Sequence, residues 1–324
     1  MPRKLKILFL VKQFGERLAK HKAKFDFIKA IEKQAEVYYW DKDGNILDIL
    51  QQINFNPDFI YHYDIAWNYA FAPKIAGLGS VNIPKGCFIY DAHYNKSIRT
   101  DYINQNKIDL IFSATKYAFL RTFPEYKRKF RWLPWSINPD IIKDWNVKKD
   151  IDYLLMGKVY HDTLNRTGTP KGRYPFRDAV LSKMAAEKGF IYHPHPGNKV
   201  APSKNLLVDK NYAKELNRSK MFFTCGSVRN YGVLKFFEAP GCRTLLLAEP
   251  NKDILELGFK HGVNFIACNN SDFYKKAKYY LKNEKERNRI TNNGYMFIQR
   301  YHTNEVRAKE FINHITKFIK TNKQ

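Results

Sequence analysis

Apolar runs and amphipathic stretches alternate along the whole chain. Residues 4–11 are almost continuously apolar, as expected of a parallel strand buried on both faces. Similar runs at 36–40, 57–63, 86–90 and 108–114 predict further strands. After the first, Phe25, Ile28 and Ile31 recur at helical spacing. A second series of strands is predicted at 151–156, 189–192, 222–225, 244–248 and 264–267. Phe273, Ala277, Tyr280 and Leu281 then form one helical face, and Gly294 is expected to end the run after Ile290. Ala308, Phe311, Ile312, Ile315 and Ile319 share one side of a closing helix. Strand–helix alternation of this kind predicts an α/β chain with parallel sheets and right-handed crossovers. A length of 324 residues suits two domains. We expect them at 1–142 and 150–302, joined by the polar stretch 143–150, with the closing helix at 303–324.

Open parallel sheets bind ligands at the carboxyl ends of their strands. The candidate chemistry falls there. Gly15 closes the loop Lys12-Gln13-Phe14-Gly15 after the first strand. Asp91 and His93 follow the fourth; Asp91 is a candidate general base or a helix cap, and His93 an orienting partner or a surface residue. Gly157 allows close approach of a diphosphate, and Lys158 can pair with it. Arg173 and Arg177 lie one turn apart at the start of a helix with Pro175 in its first turn. His193 and His195 sit in a Pro-stiffened loop with no acidic or Cys partner nearby in sequence, so a nucleotide contact is preferred to a metal.

The densest stretch is 225–250, C-G-S-V-R-N-Y-G-V-L-K-F-F-E-A-P-G-C-R-T-L-L-L-A-E-P. Tyr231 and Gly232 are expected to open a helix whose free N–H groups face a phosphate. Lys235 would lie near that helix start, and Glu238 could accept hydrogen bonds from ribose or sugar hydroxyls. The plain alternative is an α/β loop with an ion-paired Glu.

K-F-F-E-A-P-G-C-R-T-L-L-L, followed by E-L-G-F, resembles the C-terminal half of GT-B glycosyltransferases, specifically the group 1 family and its CgeB-like members. Arg173-Tyr174-Pro175-Phe176-Arg177 looks like the same group. The resemblance is clearest over 150–302. It implies two Rossmann-like domains facing a cleft, with the C-terminal helix crossing back to the first. It also implies that Glu238 holds the ribose of a sugar nucleotide. Many retaining members carry another Glu eight positions earlier, where this chain has Asn230.

Composition narrows the alternatives. An apolar content of 44% supports two cores, and no run approaches a membrane span or a signal peptide. Four scattered cysteines without a C-x-x-C argue against a zinc site or disulfide framework and for a reducing, cytoplasmic setting. No G-x-G-x-x-G or Walker loop is present. The net charge is +25, from 56 Lys+Arg against 31 Asp+Glu. Such a field favours a polyanionic partner, although solvated helix faces also carry charge runs.

The expected reaction is transfer of a sugar from a nucleoside diphosphate sugar, with UDP as the nucleotide and no obligatory metal or other cofactor. Cations and helix-end amides would hold the leaving diphosphate. Lys12, Arg17, Lys20, Lys22 and Lys24 form one basic group, and Arg121, Lys127, Arg128, Lys129 and Arg131 another. Phe14, Tyr94, Tyr117, Phe123 and Tyr126 are interleaved. Cations with aromatics suggest DNA carrying a hydroxymethylated pyrimidine as the acceptor. The alternatives are a cell-surface or capsid glycan at an anionic membrane face, an acidic glycan, or a non-catalytic binding module.

Overall fold

A computed structural model describes residues 3–160, 162 and 168–322. The expectation of a polar loop over 160–171 falls largely on residues outside that set. The chain divides into two compact units. The first holds everything up to Arg17, then Lys24–Pro134, then the chain from Glu305. The second holds Leu18–Ala23 and Trp135–Asn304. The division therefore falls at Pro134 rather than at 142. The reason is packing: Ile137, Ile141 and Ile142 are buried in the second unit's core.

The first unit is built on six strands: β1 (Lys6–Leu10), β2 (Glu36–Trp40), β3 (Phe59–His62), β4 (Lys85–Ile89), β5 (Leu110–Ser113) and β6 (Phe130–Trp132). They pair in the order β2-β1-β3-β4-β5-β6, every pair parallel. The apolar run of β1 is explained by burial on both faces, with Ile7, Leu8, Phe9 and Leu10 all at 0% exposure. Leu8, Leu10, Ile60, Ile89 and Ile111 point to one core. On the other face, Phe311 of the closing helix Asn304–Asn322 packs against Phe9, Tyr61 and Phe112, with Tyr61 4.9 Å and Phe112 4.7 Å away between ring centroids. The last helix thus returns to the first unit's sheet.

The second unit has five parallel strands: β7 (Ile151–Gly157), β8 (Phe190–Pro194), β9 (Ser219–Thr224), β10 (Leu245–Ala248) and β11 (Ile266–Ala267), in the order β8-β7-β9-β10-β11. Alternate residues go to opposite faces. Leu154, Phe222 and Leu246 pack with Phe236, Phe237 and Leu216. Tyr153, Leu155, Phe223 and Leu247 pack with Phe176, Val180 and Phe273. Because the strands are parallel, their carboxyl ends line one edge.

Two expectations change here. Gly294 does not end a helix; the helix runs unbroken over Glu284–Tyr301. A Cβ at Gly294 would stand 2.7 Å from the Asn264 carbonyl oxygen, so this glycine marks a close approach. The helix after β9 opens at Lys235 and spans Lys235–Gly241, three residues later than Gly232. No side chain caps its start, and Gly232 is instead pressed against Ile254, where a Cβ would meet Cγ2 at 2.8 Å.

Candidate active site

The carboxyl edge of the second unit gathers most of the sequence-predicted residues. β7 ends at Gly157, whose φ of +139° few side chains tolerate. The Lys235 ammonium lies directly over it and donates to the Met156 carbonyl. Tyr192 of β8 donates to the Gly157 carbonyl at 3.1 Å, pinning the same strand end. Arg177, 6% exposed, donates to the Cys225 carbonyl at 3.2 Å and stacks on Tyr174 with its guanidinium 4.4 Å from the ring centre. Its Nε is buried without a partner among the described residues.

His195 registers the field of this edge. Its Nδ1 accepts the Gly197 N–H at 3.0 Å, so the neutral ring carries its proton on Nε2. Burial, followed by the positive charges of Lys20, Lys235, Lys158 and Arg177, pushes it down to about 3. Burial and the neighbouring Arg177 and Lys20 likewise hold Lys235 well below the usual ammonium range. None of these four cations is salt-bridged to a carboxylate among the described residues. Unpaired, convergent cations beside a glycine cradle are suited to an anion.

Glu238 is the carboxylate of this cluster. The Tyr212 hydroxyl donates to its Oε2 at 2.9 Å. Burial raises its carboxyl, opposed by Lys20, by the Tyr212 bond and by Lys235. His193 makes a different contact from the one expected. Its Nε2–H is taken by Glu215 Oε1 at 2.7 Å, and Arg218 holds the other oxygen at 2.9 Å. The acidic partner missing from the local sequence arrives from a helix more than twenty residues later.

Other predicted residues lie further from this cluster's chemistry. Arg173 is exposed, 6.0 Å from the Tyr174 ring centre. Asn230 is exposed and takes a left-handed conformation with φ +54°, in a tight turn where its N–H donates to Ser227. Tyr231 is 3% exposed, and the Ser227 N–H donates to its carbonyl at 3.0 Å. Both Tyr231 and Gly232 precede the helix instead of opening it.

In the first unit, Asp91 and His93 follow β4 at the carboxyl edge of that sheet. Arg99, which sequence reasoning overlooked, organises this edge. Its side chain is 2% exposed and places one nitrogen 2.9 Å from both Asp64 oxygens. Another nitrogen donates to the Asp91 carbonyl at 2.5 Å. Asp64 also accepts the Ala66 and Tyr90 N–H groups at 3.0 Å. His62 is internal as well: it bonds the Tyr102 hydroxyl and the Pro73 carbonyl, and burial pushes it down to about 4. Gly15 has a packing reason, since a Cβ there would stand 2.7 Å from the Phe25 Cβ.

The predicted basic and aromatic strip disperses in the fold. Phe14, Phe123 and Tyr126 are core residues at 1%, 0% and 7% exposure, because each is needed to fill the first unit, and cannot stack on a base. Tyr94 and Tyr117 are exposed. Lys24 is packed over Tyr90, 4.2 Å from the ring centre. Lys12 donates to the Tyr69 carbonyl and Lys129 to the Ile108 carbonyl. Among the described residues, no three His, Cys, Asp or Glu side chains converge as a metal cage, and no helix is long and apolar enough to cross a membrane.

Comparison with known proteins places this architecture. Structures similar over nearly the whole chain include HepE of Anabaena in complex with UDP and glucose (TM-score 0.59, 11% identity, covering 97% of this chain and 100% of that one). A glycosyltransferase from Rickettsia africae ESF-5 gives 0.57, with 10% identity over 98% and 99%. The S. aureus MnaA–UDP structure gives 0.51, with 15% identity over 98% and 97%. The fold is GT-B. Residues 178–313 match the family described as glycosyl transferase-like. No curated protein matches it in sequence.

Proposed function

We propose that the chain transfers a sugar from a UDP-sugar, bound at the carboxyl edge of the second unit, to a hydroxyl acceptor. The observation that carries this is the set Lys20, Lys158, Arg177 and Lys235 around neutral His195, with Glu238 as its carboxylate. The cations take the diphosphate and stabilise it as it leaves, which needs no resident metal. Glu238 takes the ribose hydroxyls. Support for uridine comes from the similar structures that hold UDP or UDP-glucose. Asp91, on the first unit, is the proposed base toward the acceptor, with His93 beside it. The test is incubation with UDP-sugars and assay of released UDP. Turnover abolished by Glu238→Ala in a folded protein supports the reading; turnover at the wild-type rate in that variant rejects it.

For the acceptor we propose a polyanion on the strength of the net charge of +25. Hydroxymethylated DNA keeps this support, but burial of Phe14, Phe123 and Tyr126 removes most of the base-stacking argument. A gel shift over a salt series tests it, since counterion release demands a steep loss of binding with salt. Salt-insensitive binding, or sugar transfer to a glycan alone, rejects DNA.

A further inference from the structure

One helix, Asp209–Arg218, serves the candidate site twice. Tyr212 and Glu215 are three residues apart, so they leave the same face about one turn from each other. Tyr212 donates to Glu238 Oε2 at 2.9 Å, and Glu215 receives His193 Nε2–H at 2.7 Å. The helix is itself anchored. Arg218 bonds Glu215 at 2.9 Å and both oxygens of Asp150 at 3.0 and 2.8 Å. At the same end, Asn217 receives the Trp145 N–H at 2.9 Å.

Among the described residues, no other group bonds the Glu238 carboxylate. A Glu side chain has three rotatable torsions, and a lone carboxylate at a half-buried edge has no reason to hold one orientation. The Tyr212 ring has only two torsions and packs against the core beneath the site. Its hydroxyl therefore acts as a fixed point.

We infer that Tyr212 is a positioning residue: it fixes Oε2 of Glu238 so that Oε1 is presented to a ribose hydroxyl. This rests on the reading of Glu238 as the ribose ligand. The hydroxyl does a second thing. The Tyr212 donor opposes the burial that draws this carboxyl toward its neutral form, and only the ionised form is a pure acceptor. Removing the hydroxyl should therefore misalign the group and also raise the pH at which it works.

Tyr212→Phe keeps the ring and removes only the hydroxyl. The full chain would be titrated calorimetrically with UDP, and with inorganic pyrophosphate as a ribose-free probe, for wild type, Y212F, E238Q and the double variant. Y212F should weaken UDP about tenfold, and by less as pH is raised and the ionised form recovers. Pyrophosphate binding should not change. In the E238Q background, Y212F should add little, because the two act through one group. UDP bound normally by Y212F but weakly by E238Q would overturn the inference while leaving the ribose reading intact. Equal weakening of UDP and pyrophosphate by Y212F would also overturn it, as a merely structural effect. Normal UDP binding by E238Q would remove the ribose reading, and the inference with it.

Discussion

A Cβ on Gly157 would stand 2.5 Å from the Lys235 ammonium. The strand end and the cation are thus in close contact, so that a side chain there would have to displace the lysine tip. The backbone there is at φ +139°, which an L-residue adopts only under strain. Gly157→Ala should cost about 1–3 kcal/mol of stability from the backbone alone. It should also push Lys235 off the strand end and weaken UDP binding. Urea melts and calorimetry check both. A variant as stable as wild type with unchanged UDP affinity would show that the cradle has no such role.

Arg99 and Asp64 form a buried ion pair at the carboxyl edge of the first unit, with side chains 2% and 1% exposed. Its contribution is better judged by breaking it than by counting its bonds. Arg99→Leu leaves the Asp64 carboxylate buried without its partner, a situation that costs about 3–5 kcal/mol. Replacing both, as Arg99→Leu with Asp64→Asn, should recover part of the loss. Denaturant unfolding of the three proteins tests this. Because Arg99 also holds the Asp91 carbonyl, any folded single variant should lose turnover beyond what its stability explains.

Gly294 sets helix propensity against packing. In an open helix, Gly→Ala gains about 1 kcal/mol. Here the new Cβ would meet the Asn264 carbonyl oxygen at 2.7 Å and Pro240 Cβ at 3.2 Å. Backbone cannot yield as a side-chain tip can, so Gly294→Ala should destabilise by about 1–3 kcal/mol. A stabilised variant would mean that the turn carrying Asn264 gives way easily.

Gly294 also shows where the sequence stopped being legible. Period and length identified the strands, because a buried parallel strand must be apolar throughout; residues 4–11 and 151–156 needed no tertiary information. The close approach behind Gly294 did need it, since Asn264 lies thirty residues away. The same holds for the site. Gly157, Arg177, Lys235 and Glu238 could be picked out because strand-end glycines, cations and a motif carboxylate announce themselves locally. Tyr212, Glu215 and Arg99 could not, because their roles arise only when a helix is laid against a strand end. Lys20 was assigned to a basic strip by proximity in sequence, yet it counts with the second unit.

Two histidines make stability depend on pH. Burial pushes His62 down to about 4 and, joined by neighbouring cations, His195 down to about 3. An unfolded histidine titrates near 6.5. Between these values the unfolded chain binds protons that the native state refuses. Stability is therefore whole above about pH 6.5 and falls as pH drops toward 4 and then 3. His62→Gln should remove up to about 1.4 kcal/mol per pH unit from that slope, less whatever its lost hydrogen bonds cost at every pH. His195→Asn should remove less, since solvent reaches that ring. Unfolding free energies measured across the window check both; slopes unchanged in the variants would show that these rings do not refuse the proton.

The cation cluster carries the sharpest prediction, because stability and binding should move in opposite directions. Lys20, Lys158, Arg177 and Lys235 repel one another when no anion is bound, and all four act on His195. Lys158 makes no hydrogen bond or ion pair with a described residue, so replacing it with Gln removes repulsion and little else. The ligand-free Lys158→Gln protein should gain about 0.5 kcal/mol, the size of a relieved like-charge contact at partial exposure. UDP should bind it more weakly, because the charge that was unfavourable alone is what the diphosphate neutralises. Added salt should shrink both effects, as screening acts on the repulsion and the attraction alike. Lys317→Ala on the closing helix is the control and should change neither. A Lys158→Gln protein that loses stability and keeps its UDP affinity would mean the lysine is a structural residue, and the anion would have to be sought elsewhere on the second unit.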